Sequence, residues 1–256
     1  MTTTIVLGDG PLGRAIELAL RDREETVRVL GRPADAGHDP TILGAAAVIV
    51  DASRADAVAT NVEAALAAGC RAFVIATTGW QADADRVGAA LRRADATAVA
   101  APNLALGAAL FLRLVDEAAR LAAAIGGFEP SVVEWHRRSK ADRPSGTARE
   151  IVRRLAASLP IELDEVAVVR SGSMPGMHAV GLDGASETIE LRLTARDRSG
   201  YAAGALAAID WLRAASRSPG IHAFDEVVDE RIASARLGAG HAGDRGLAPE
   251  PAGATA

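Results

Sequence analysis

The side chains best suited to chemistry lie close together near the middle of the chain. Glu134 and His136 are two positions apart on a predicted strand, so both point to the same face of it. Lys140 follows in a cationic loop, and residues 145–147 (Ser-Gly-Thr) precede a predicted helix whose exposed amides can bind a carboxylate. A titratable histidine, an ammonium and an anion-binding helix start together suit proton transfer to a small polyanionic substrate.

Each of these features also has a purely structural interpretation. Lys140 is the only lysine among 28 basic residues. A compact ammonium differs from a planar guanidinium, so Lys140 could have a specific role. The alternative is that a GC-biased genome replaced most lysines and left this one by chance. Thr147 and Glu150 fit a capping box, which needs no ligand. Glu134 could orient a neighbour, and His136 could be a buried, hydrogen-bonded residue. The functional hypothesis is favoured because these features converge in one short segment.

A glycine-rich turn follows the first predicted strand, residues 3–7. Gly8, Gly10 and Gly13 permit a tight turn, close approach of the backbone to a pyrophosphate and tight packing of the next helix. The start of that helix, with Pro11 and Leu12, then faces the phosphates. The pattern predicts a dinucleotide site.

The end of the second predicted strand favours NADPH over NADH. A typical NAD site has an acidic residue there to bind the ribose hydroxyl. This chain has Gly31 followed by Arg32, with Arg28 close by. Two guanidiniums favour a 2′-phosphate. The alternative is that Arg28 and Arg32 are solvated surface residues.

Strands and helices alternate through residues 1–105, which predicts a parallel sheet with right-handed crossovers. A long helix (106–125) and then a mixture of strands and helices follow. The predicted fold class is α/β, with an N-terminal Rossmann-like parallel sheet and a second, smaller α+β substrate domain. We predict a dinucleotide-binding domain at 1–105 that is completed by helices of about 199–237, a substrate and oligomerisation domain at 106–198, and a disordered tail at 238–256.

Composition excludes several classes of protein. The net charge of −5 disfavours a sequence-independent nucleic-acid binder. The single Cys70 excludes an internal disulfide and a cysteine-based metal cluster, and we expect no metal site. No signal peptide and no apolar run of roughly 20 residues is visible. We therefore expect a cytoplasmic protein that binds neither nucleic acid nor membrane.

The segment 134–148 resembles the signature of the dihydrodipicolinate reductases, also called 4-hydroxy-tetrahydrodipicolinate reductases, which runs E-x-H-H-x-x-K-x-D-x-P-S-G-T-A. Similar motifs of that family occur in order along residues 3–230. They are Thr-Thr-Gly-Trp at 77–80, Ala-Pro-Asn at 101–103, Arg-x-Gly-x-x-Pro-Gly-x-His-x-Val at 170–180, Arg198, Gly204-Ala205 and Pro219-Gly220.

The resemblance implies hydride transfer from NAD(P)H to a cyclic dicarboxylate in lysine and diaminopimelate biosynthesis. It implies that His136 is the general acid and that Lys140 binds a carboxylate. It also implies a homo-oligomer, a tetramer as in the family or a dimer if the second sheet is shortened. The remaining site residues that it implies are Arg137, Ser145, Gly146 and Thr147 for the substrate, and Thr77, Thr78, Gly79, Ala101 and Asn103 for the nicotinamide end of the cofactor.

Several positions depart from the family pattern. Arg137 replaces the second histidine, Ala105 replaces a serine, and Leu193 stands where a histidine often precedes the late arginine. The glycine turn is one residue shorter, and the stretch 180–198 is about a hairpin shorter. These departures leave open a paralogous reductase of another carboxylated cyclic imine or enamine. A non-catalytic NADP-binding sensor is a further alternative, although it would need neither His136 nor Lys140.

Overall fold

A computed structural model of the chain describes residues 3–32 and 38–242, with side chains up to residue 235. The first part contains β1 (Thr3–Leu7), α1 (Pro11–Asp22), β2 (Thr26–Leu30), α2 (Pro40–Gly44), β3 (Ala46–Asp51), α3 (Val58–Ala67), β4 (Ala72–Ile75), α4 (Ala84–Arg93) and β5 (Thr97–Ala100). The second part contains α5 (Leu106–Ile125), β6 (Glu129–His136), α6 (Gly146–Leu155), β7 (Ala167–Arg170), β8 (Gly176–Asp183), β9 (Thr188–Ala195), α7 (Ser199–Ala214), β10 (Gly220–Ala223) and α8 (Phe224–Ala242).

The larger sheet of the described residues is parallel, with the strand order β10-β5-β4-β3-β1-β2. The chain moves from β1 to β2 on one side and then returns to β3 on the other. Ligands of open α/β sheets bind at the carboxyl ends of the strands beside such a reversal. The predicted Rossmann-like sheet is confirmed, and its reversal lies next to the glycine turn.

Apolar side chains cover both faces of this sheet, as expected for buried parallel strands. They alternate along each strand between a layer shared with α1, α7 and α8 and a layer shared with α3 and α4. The first layer includes Val6, Val50, Val74 and Val99 from the strands. The second includes Ile5, Ile49, Phe73 and Ala98, together with Cys70, which is buried in the turn between α3 and β4.

The smaller sheet has the order β7-β6-β8-β9, in which β6 and β7 are parallel and the other pairs are antiparallel. Helices α5 and α6 pack on one face, where they bury Val132 of β6 and Val180 of β8. Glu134 and His136 share that face with Val132 and are buried too. The predicted fold class, an α/β chain with a second, smaller α+β unit, is confirmed.

The C-terminal segment differs from the sequence prediction in two ways. It returns to the first sheet with a strand as well as helices, because β10 pairs in parallel with β5. Helix α8 continues to Ala242, so residues 238–242 of the expected disordered tail are helical, and 243–256 lie outside the described residues. The domain boundaries at 105/106 and 198/199 stay a prediction. Over the part of the chain that the structure describes, no helix is long and apolar enough to cross a membrane.

Gly204 sets how closely α7 approaches the loop after β5. A Cβ at this position would overlap the carbonyl oxygen of Leu104 and would lie 3.1 Å from the Phe224 ring. Backbone and ring together leave no room for a methyl group.

We predict that Gly204→Ala lowers the melting temperature, although alanine is the better helix former by about 1 kcal/mol. The overlap with Leu104 should cost at least the roughly 1–3 kcal/mol typical of overpacking. Gly107→Ala is the control, because its Cβ would make an ordinary 3.7 Å contact with Leu193. Thermal unfolding of both variants decides the point, and an unchanged or higher melting temperature for Gly204→Ala would contradict it.

Candidate active site

The three glycines of the turn after β1 have different structural roles. Gly8 has φ +112°, and a Cβ there would overlap the carbonyl of Ala52. A Cβ on Gly13 would overlap the Gly8 carbonyl oxygen, so glycine allows α1 to pack tightly on the turn. Gly10 is the N-cap of α1, has nothing within 4 Å of its Cβ position and makes no side-chain cap. Pro11 has no N–H, so the amides of Leu12 and Gly13 are the donors at this helix start that can face a phosphate.

A cavity of about 480 Å³ lies against this turn. It is bounded by the carboxyl ends of β1, β2 and β3, which is where the sheet topology places a nucleotide. Its lining residues are Gly8, Asp9, Gly10, Gly31, Arg32, His38, Ala52, Ser53, Arg54, Asp56, Ala57, Thr60 and Asn61. Arg32 is part of the wall of this cavity, whereas Arg28 is an exposed residue of β2 outside the lining.

Arg54 adds a second guanidinium to this cavity that sequence reasoning missed. It holds the Asp56 carboxylate through hydrogen bonds of 3.0 and 2.6 Å. Asp9 adds a negative charge that the sequence analysis also passed over, with its carboxylate 3.2 Å from the Cβ position of Gly31. The sequence could have indicated Arg54, because this residue follows β3 at the sheet edge that also carries the glycine turn.

Asp51 organises the ends of β3 and β4, and sequence reasoning missed it as well. Its buried carboxylate accepts hydrogen bonds from the Thr77 hydroxyl at 2.6 Å, the Ser53 hydroxyl at 2.7 Å and the Asn61 amide at 2.8 Å. The Thr77 hydroxyl is therefore committed to Asp51. Thr78 is exposed beside it, ahead of Gly79.

The end of β5 meets the start of α6 through Asn103. The Asn103 side chain accepts a hydrogen bond from the Ala105 amide at 2.9 Å and donates one to the Thr147 hydroxyl at 3.5 Å. Ala101 lies two residues earlier on the same loop. Asn103, predicted for the nicotinamide end of the cofactor, is thus in contact with Thr147, predicted for the substrate.

Glu134 is the centre of a buried polar network in the smaller sheet. Its carboxylate accepts hydrogen bonds from Arg170 Nη2 at 2.6 Å and from the Ser145 amide at 3.0 Å. His178 Nε2 and His136 Nδ1 lie 3.6 and 3.5 Å from its Oε2. His178 faces Glu134 across the β6–β8 pairing. Sequence reasoning placed His178 and Arg170 only within a family motif, so their convergence on Glu134 was missed.

His136 lies edge-on to His178, with ring centroids 5.1 Å apart. A Cβ at Gly176 would lie 3.1 Å from His136 Nε2, so glycine leaves room for the ring. Among the described residues, the buried His136 Nδ1 has no hydrogen-bond partner. The ring is therefore held mainly by packing.

Burial and neighbouring charges shift the pKa of both groups. Burial alone would raise the pKa of Glu134, but hydrogen bonds from His178, Ser145 and Arg170 outweigh it, and the pKa lies well below its usual range. Burial lowers the pKa of His136 and His178 lowers it further, while Glu134 opposes them, and the result is about 4. In the free protein at pH 7, Glu134 is ionised and His136 is neutral.

Lys140 lies at the rim of this network, and its ammonium is 2.8 Å from the Asp142 carboxylate. The helix α6 begins immediately beyond, and Ser145 is its N-cap, with the hydroxyl accepting from the Ala148 amide at 3.2 Å. The predicted capping box at Thr147 and Glu150 is wrong, because Ser145 caps the helix two residues earlier and Glu150 binds Arg153 and Arg154 instead.

The predicted substrate residues therefore divide into two groups. Gly146 and Thr147 form the first turn of α6 next to Lys140, whereas the Ser145 hydroxyl already contacts His178 at 3.1 Å. Arg137 is exposed just past the end of β6.

Glu134, His136 and His178 also place one ligand atom each within 4.8 Å of one another, a spacing that could hold a metal ion. The Arg170 guanidinium already lies on Glu134, however, and a second cation beside it would be repelled. These residues fit a hydrogen-bonded network better than a metal centre.

Sequence comparisons connect this arrangement with known enzymes. A family model described as dihydrodipicolinate reductase, C-terminus, matches residues 107–228. The 4-hydroxy-tetrahydrodipicolinate reductase of Caulobacter vibrioides is 32% identical over 246 residues, covering 86% of this chain and 94% of that protein. The corresponding enzyme of Methanospirillum hungatei is 34% identical over 197 residues, which are 71% of this chain and 75% of the relative. The chain belongs to the 4-hydroxy-tetrahydrodipicolinate reductase family.

A solved member of the family has the same fold. Dihydrodipicolinate reductase from Paenisporosarcina sp. TG-14, with dipicolinate bound, matches with a TM-score of 0.68 at 19% identity, over 87% of this chain and 98% of that one. Membership of the family makes this chain an NAD(P)H-dependent oxidoreductase.

The departure at Leu193 affects the buried network. Leu193 faces His178 across the β8–β9 pairing, and it packs near Gly107 at the start of α5. Glu134, His178 and residue 193 lie side by side across β6, β8 and β9, so a histidine at 193 would add a third polar side chain to this row. In this chain an aliphatic side chain ends the row instead.

We predict that His136 titrates with a midpoint near pH 4 in the folded protein, as measured by NMR. Since the unfolded chain takes up this proton near pH 6.5, the contribution of His136 to stability falls as the pH drops from 6.5 towards 4.

His222 is the internal control for this titration. Burial alone would lower the pKa of His222, but its bonds to Glu226 and to the Ser218 carbonyl raise it. It should therefore titrate above 6.5 in the same spectra. A His136 midpoint at 6.5 or higher would show that the ring is not buried as described.

Proposed function

We propose that this chain reduces 4-hydroxy-tetrahydrodipicolinate to tetrahydrodipicolinate with NADPH, in lysine and diaminopimelate biosynthesis. One observation carries the proposal: His136, Lys140 and the start of α6 lie together, and Asn103 joins them to the edge of the nucleotide-binding sheet. The names of the relatives and the dipicolinate in the related structure support the same substrate class.

The residues present fit a nicotinamide dinucleotide. The open amides after Gly10 suit its pyrophosphate, and the adjoining cavity of about 480 Å³ suits its adenosine half. Gly79, Ala101 and Asn103 then lie further along the same sheet edge, towards Lys140 and α6. The bound cofactor supplies a hydride.

The substrate is held by its two carboxylates. Lys140 is the cation for one of them, and the Gly146 and Thr147 amides at the start of α6 are donors for the other. Ser145 contributes by fixing the helix start, since its hydroxyl caps α6 and its amide is bound to Glu134. The carboxylate on Lys140 takes the place that Asp142 has in the free protein.

His136 supplies the proton. Loss of water from the hydroxylated ring gives a conjugated dicarboxylate, which accepts hydride at one ring carbon and a proton at the neighbouring carbon. His136 is neutral in the free protein, with a pKa of about 4. Two substrate carboxylates nearby favour the imidazolium and raise that pKa. The substrate therefore promotes protonation of its own general acid.

The test of this function is a steady-state assay of the purified protein. NADPH oxidation should depend on 4-hydroxy-tetrahydrodipicolinate, saturate and yield tetrahydrodipicolinate. NADPH binding without any substrate-dependent oxidation would overturn the proposal and favour a cofactor-binding protein without this reaction.

We predict that substitutions of His136 and of Lys140 affect different kinetic constants. His136→Gln should lower kcat by about 100-fold or more, the usual scale of general acid catalysis, with little change in KM. Lys140→Met should raise KM by about 10- to 100-fold, the value of one charge-assisted contact. Lys140→Arg should raise KM less than Lys140→Met does, but should not keep the wild-type value.

The control for both variants is Ser139→Ala, a change at an exposed neighbour that should keep wild-type kinetics. NADPH dissociation constants should be unchanged in all variants. Wild-type kinetics for His136→Gln and Lys140→Met would place the active site elsewhere.

We predict that NADPH binds more tightly than NADH by about 10- to 100-fold, because a charge-assisted contact from Arg32 to the 2′-phosphate is worth roughly 1.5–3 kcal/mol. Arg32→Ala should remove the preference. Arg28→Ala is the matched control, since Arg28 lies outside the cavity. Fluorescence titrations with both cofactors measure this, and equal constants for the wild type would refute it.

A paralogous reductase of another carboxylated cyclic imine or enamine is the second candidate, favoured by Arg137 and Leu193. Arg137 puts a fixed guanidinium at the exposed edge of the site. We predict that Arg137→His shifts kcat/KM in favour of 4-hydroxy-tetrahydrodipicolinate. Identical kcat/KM values for the variant and the wild type would show that this position does not select the substrate.

A further inference from the structure

We infer that Arg170 is a positioning residue for the substrate, which acts through Glu134 and Asp142 to fix the turn that carries Lys140 and the start of α6. This inference rests on the proposed function. Neither Arg170 nor Glu134 is among the residues proposed to touch the substrate.

Arg170 lies at the end of β7, where it faces His136 across the parallel pairing with β6. Its side chain has no exposed surface. Nη2 donates to Glu134 Oε1 at 2.6 Å and to the Asp142 carbonyl oxygen at 2.6 Å, and Nη1 donates to the Val169 carbonyl at 2.9 Å. One guanidinium therefore ties the Asp142 backbone to the sheet.

Glu134 ties the other end of the same turn. Its carboxylate, which also has no exposed surface, accepts from the Ser145 amide at 3.0 and 3.2 Å. Asp142 and Ser145 are thus both held to the strands by one ion pair, three residues apart. We call the Arg170–Glu134 pair with these two contacts the turn clamp.

The turn clamp connects to both proposed carboxylate sites. Ser145 is the N-cap of α6, so fixing its backbone fixes the amides of Gly146 and Thr147. Arg170 holds the backbone carbonyl of Asp142, two residues after Lys140, so fixing it restrains the backbone that carries Lys140, whether or not the Asp142 carboxylate is on the ammonium. A shift of about 1 Å in such groups can cost 100-fold in rate.

Stability alone does not explain this pair. Replacing a buried ion pair by apolar residues of similar volume is often neutral or stabilising, whereas removing one partner is strongly destabilising. Arg170 Nε, moreover, is buried and has no hydrogen-bond partner among the described residues, a cost that an apolar side chain would avoid. The contacts that an apolar pair could not reproduce are those to Asp142 and Ser145.

The test compares Arg170→Met, Arg170→Lys and the double variant Glu134→Gln/Arg170→Met. Arg170→Met leaves a buried carboxylate without its partner and should lower the melting temperature. The double variant removes both charges and should recover most of that loss. KM for 4-hydroxy-tetrahydrodipicolinate and the dissociation constant of dipicolinate should nevertheless stay about 10- to 100-fold above wild type in both.

Three further readouts separate positioning from folding. NADPH affinity should be unchanged in the double variant. In Arg170→Met, which keeps the Glu134 carboxylate beside His136, kcat should fall much less than KM rises. Arg170→Lys should restore part of the dipicolinate affinity, because one ammonium can reach Glu134 or Asp142 but cannot reproduce the planar fork. Arg153→Met is the control, since this exposed arginine of α6 pairs with Glu150, outside the turn, and should keep wild-type KM.

Recovery of both stability and substrate affinity in the double variant would overturn the inference, because the pair would then be only structural. The outcome for the proposed reaction is read separately. A wild-type protein that binds dipicolinate but shows no turnover would overturn the reaction alone. The dipicolinate constants of the variants would still decide the turn clamp.

Discussion

The negative charge of a carboxylate that has no contact with solvent must be balanced by partners within the protein. The partners of Glu134 determine the geometry of the site. Arg170 supplies the opposite charge, the Ser145 amide supplies a second donor, and His178 completes the shell. These partners come from two neighbouring strands and from the turn before α6. Satisfying one charge therefore fixes the elements around His136 relative to one another.

A polar contact at Asn103 connects the edge of the larger sheet with the smaller sheet's helix α6. Asn103 lies in the loop after β5, and its side-chain amide donates a hydrogen bond to the Thr147 hydroxyl in the first turn of α6. Gly204 supports this loop from behind, because only a residue without a Cβ lets α7 pack against Leu104. Asn103, proposed for the nicotinamide end of the cofactor, and Thr147, proposed for the substrate, are neighbours because this loop is held from both sides.

Local patterns in the sequence were sufficient for much of the fold. The turn from Gly8 to Gly13, the helix Leu106–Ile125 and the shared face of Glu134 and His136 depend on short-range periodicity, and the structure has all three. The strand Gly220–Ala223 was missed, since four residues carry too little pattern and its pairing with β5 is long-range. The cap of α6 was misplaced because Ser145 and Thr147 have the same capping chemistry. The low pKa of His136 was not predictable, because it depends on burial and on His178, which is far along the chain although its strand pairs with β6.

The proposed roles of His136, Lys140 and the start of α6 predict one ternary geometry, which a crystal structure with NADP⁺ and dipicolinate tests directly. One dipicolinate carboxylate should lie on the Lys140 ammonium and the other on the Gly146 and Thr147 amides, with the ring between His136 and the nicotinamide. Asp142 should have moved off Lys140, while Arg170 stays on Glu134. Dipicolinate bound away from Lys140, or a nicotinamide placed away from Asn103, would contradict these roles.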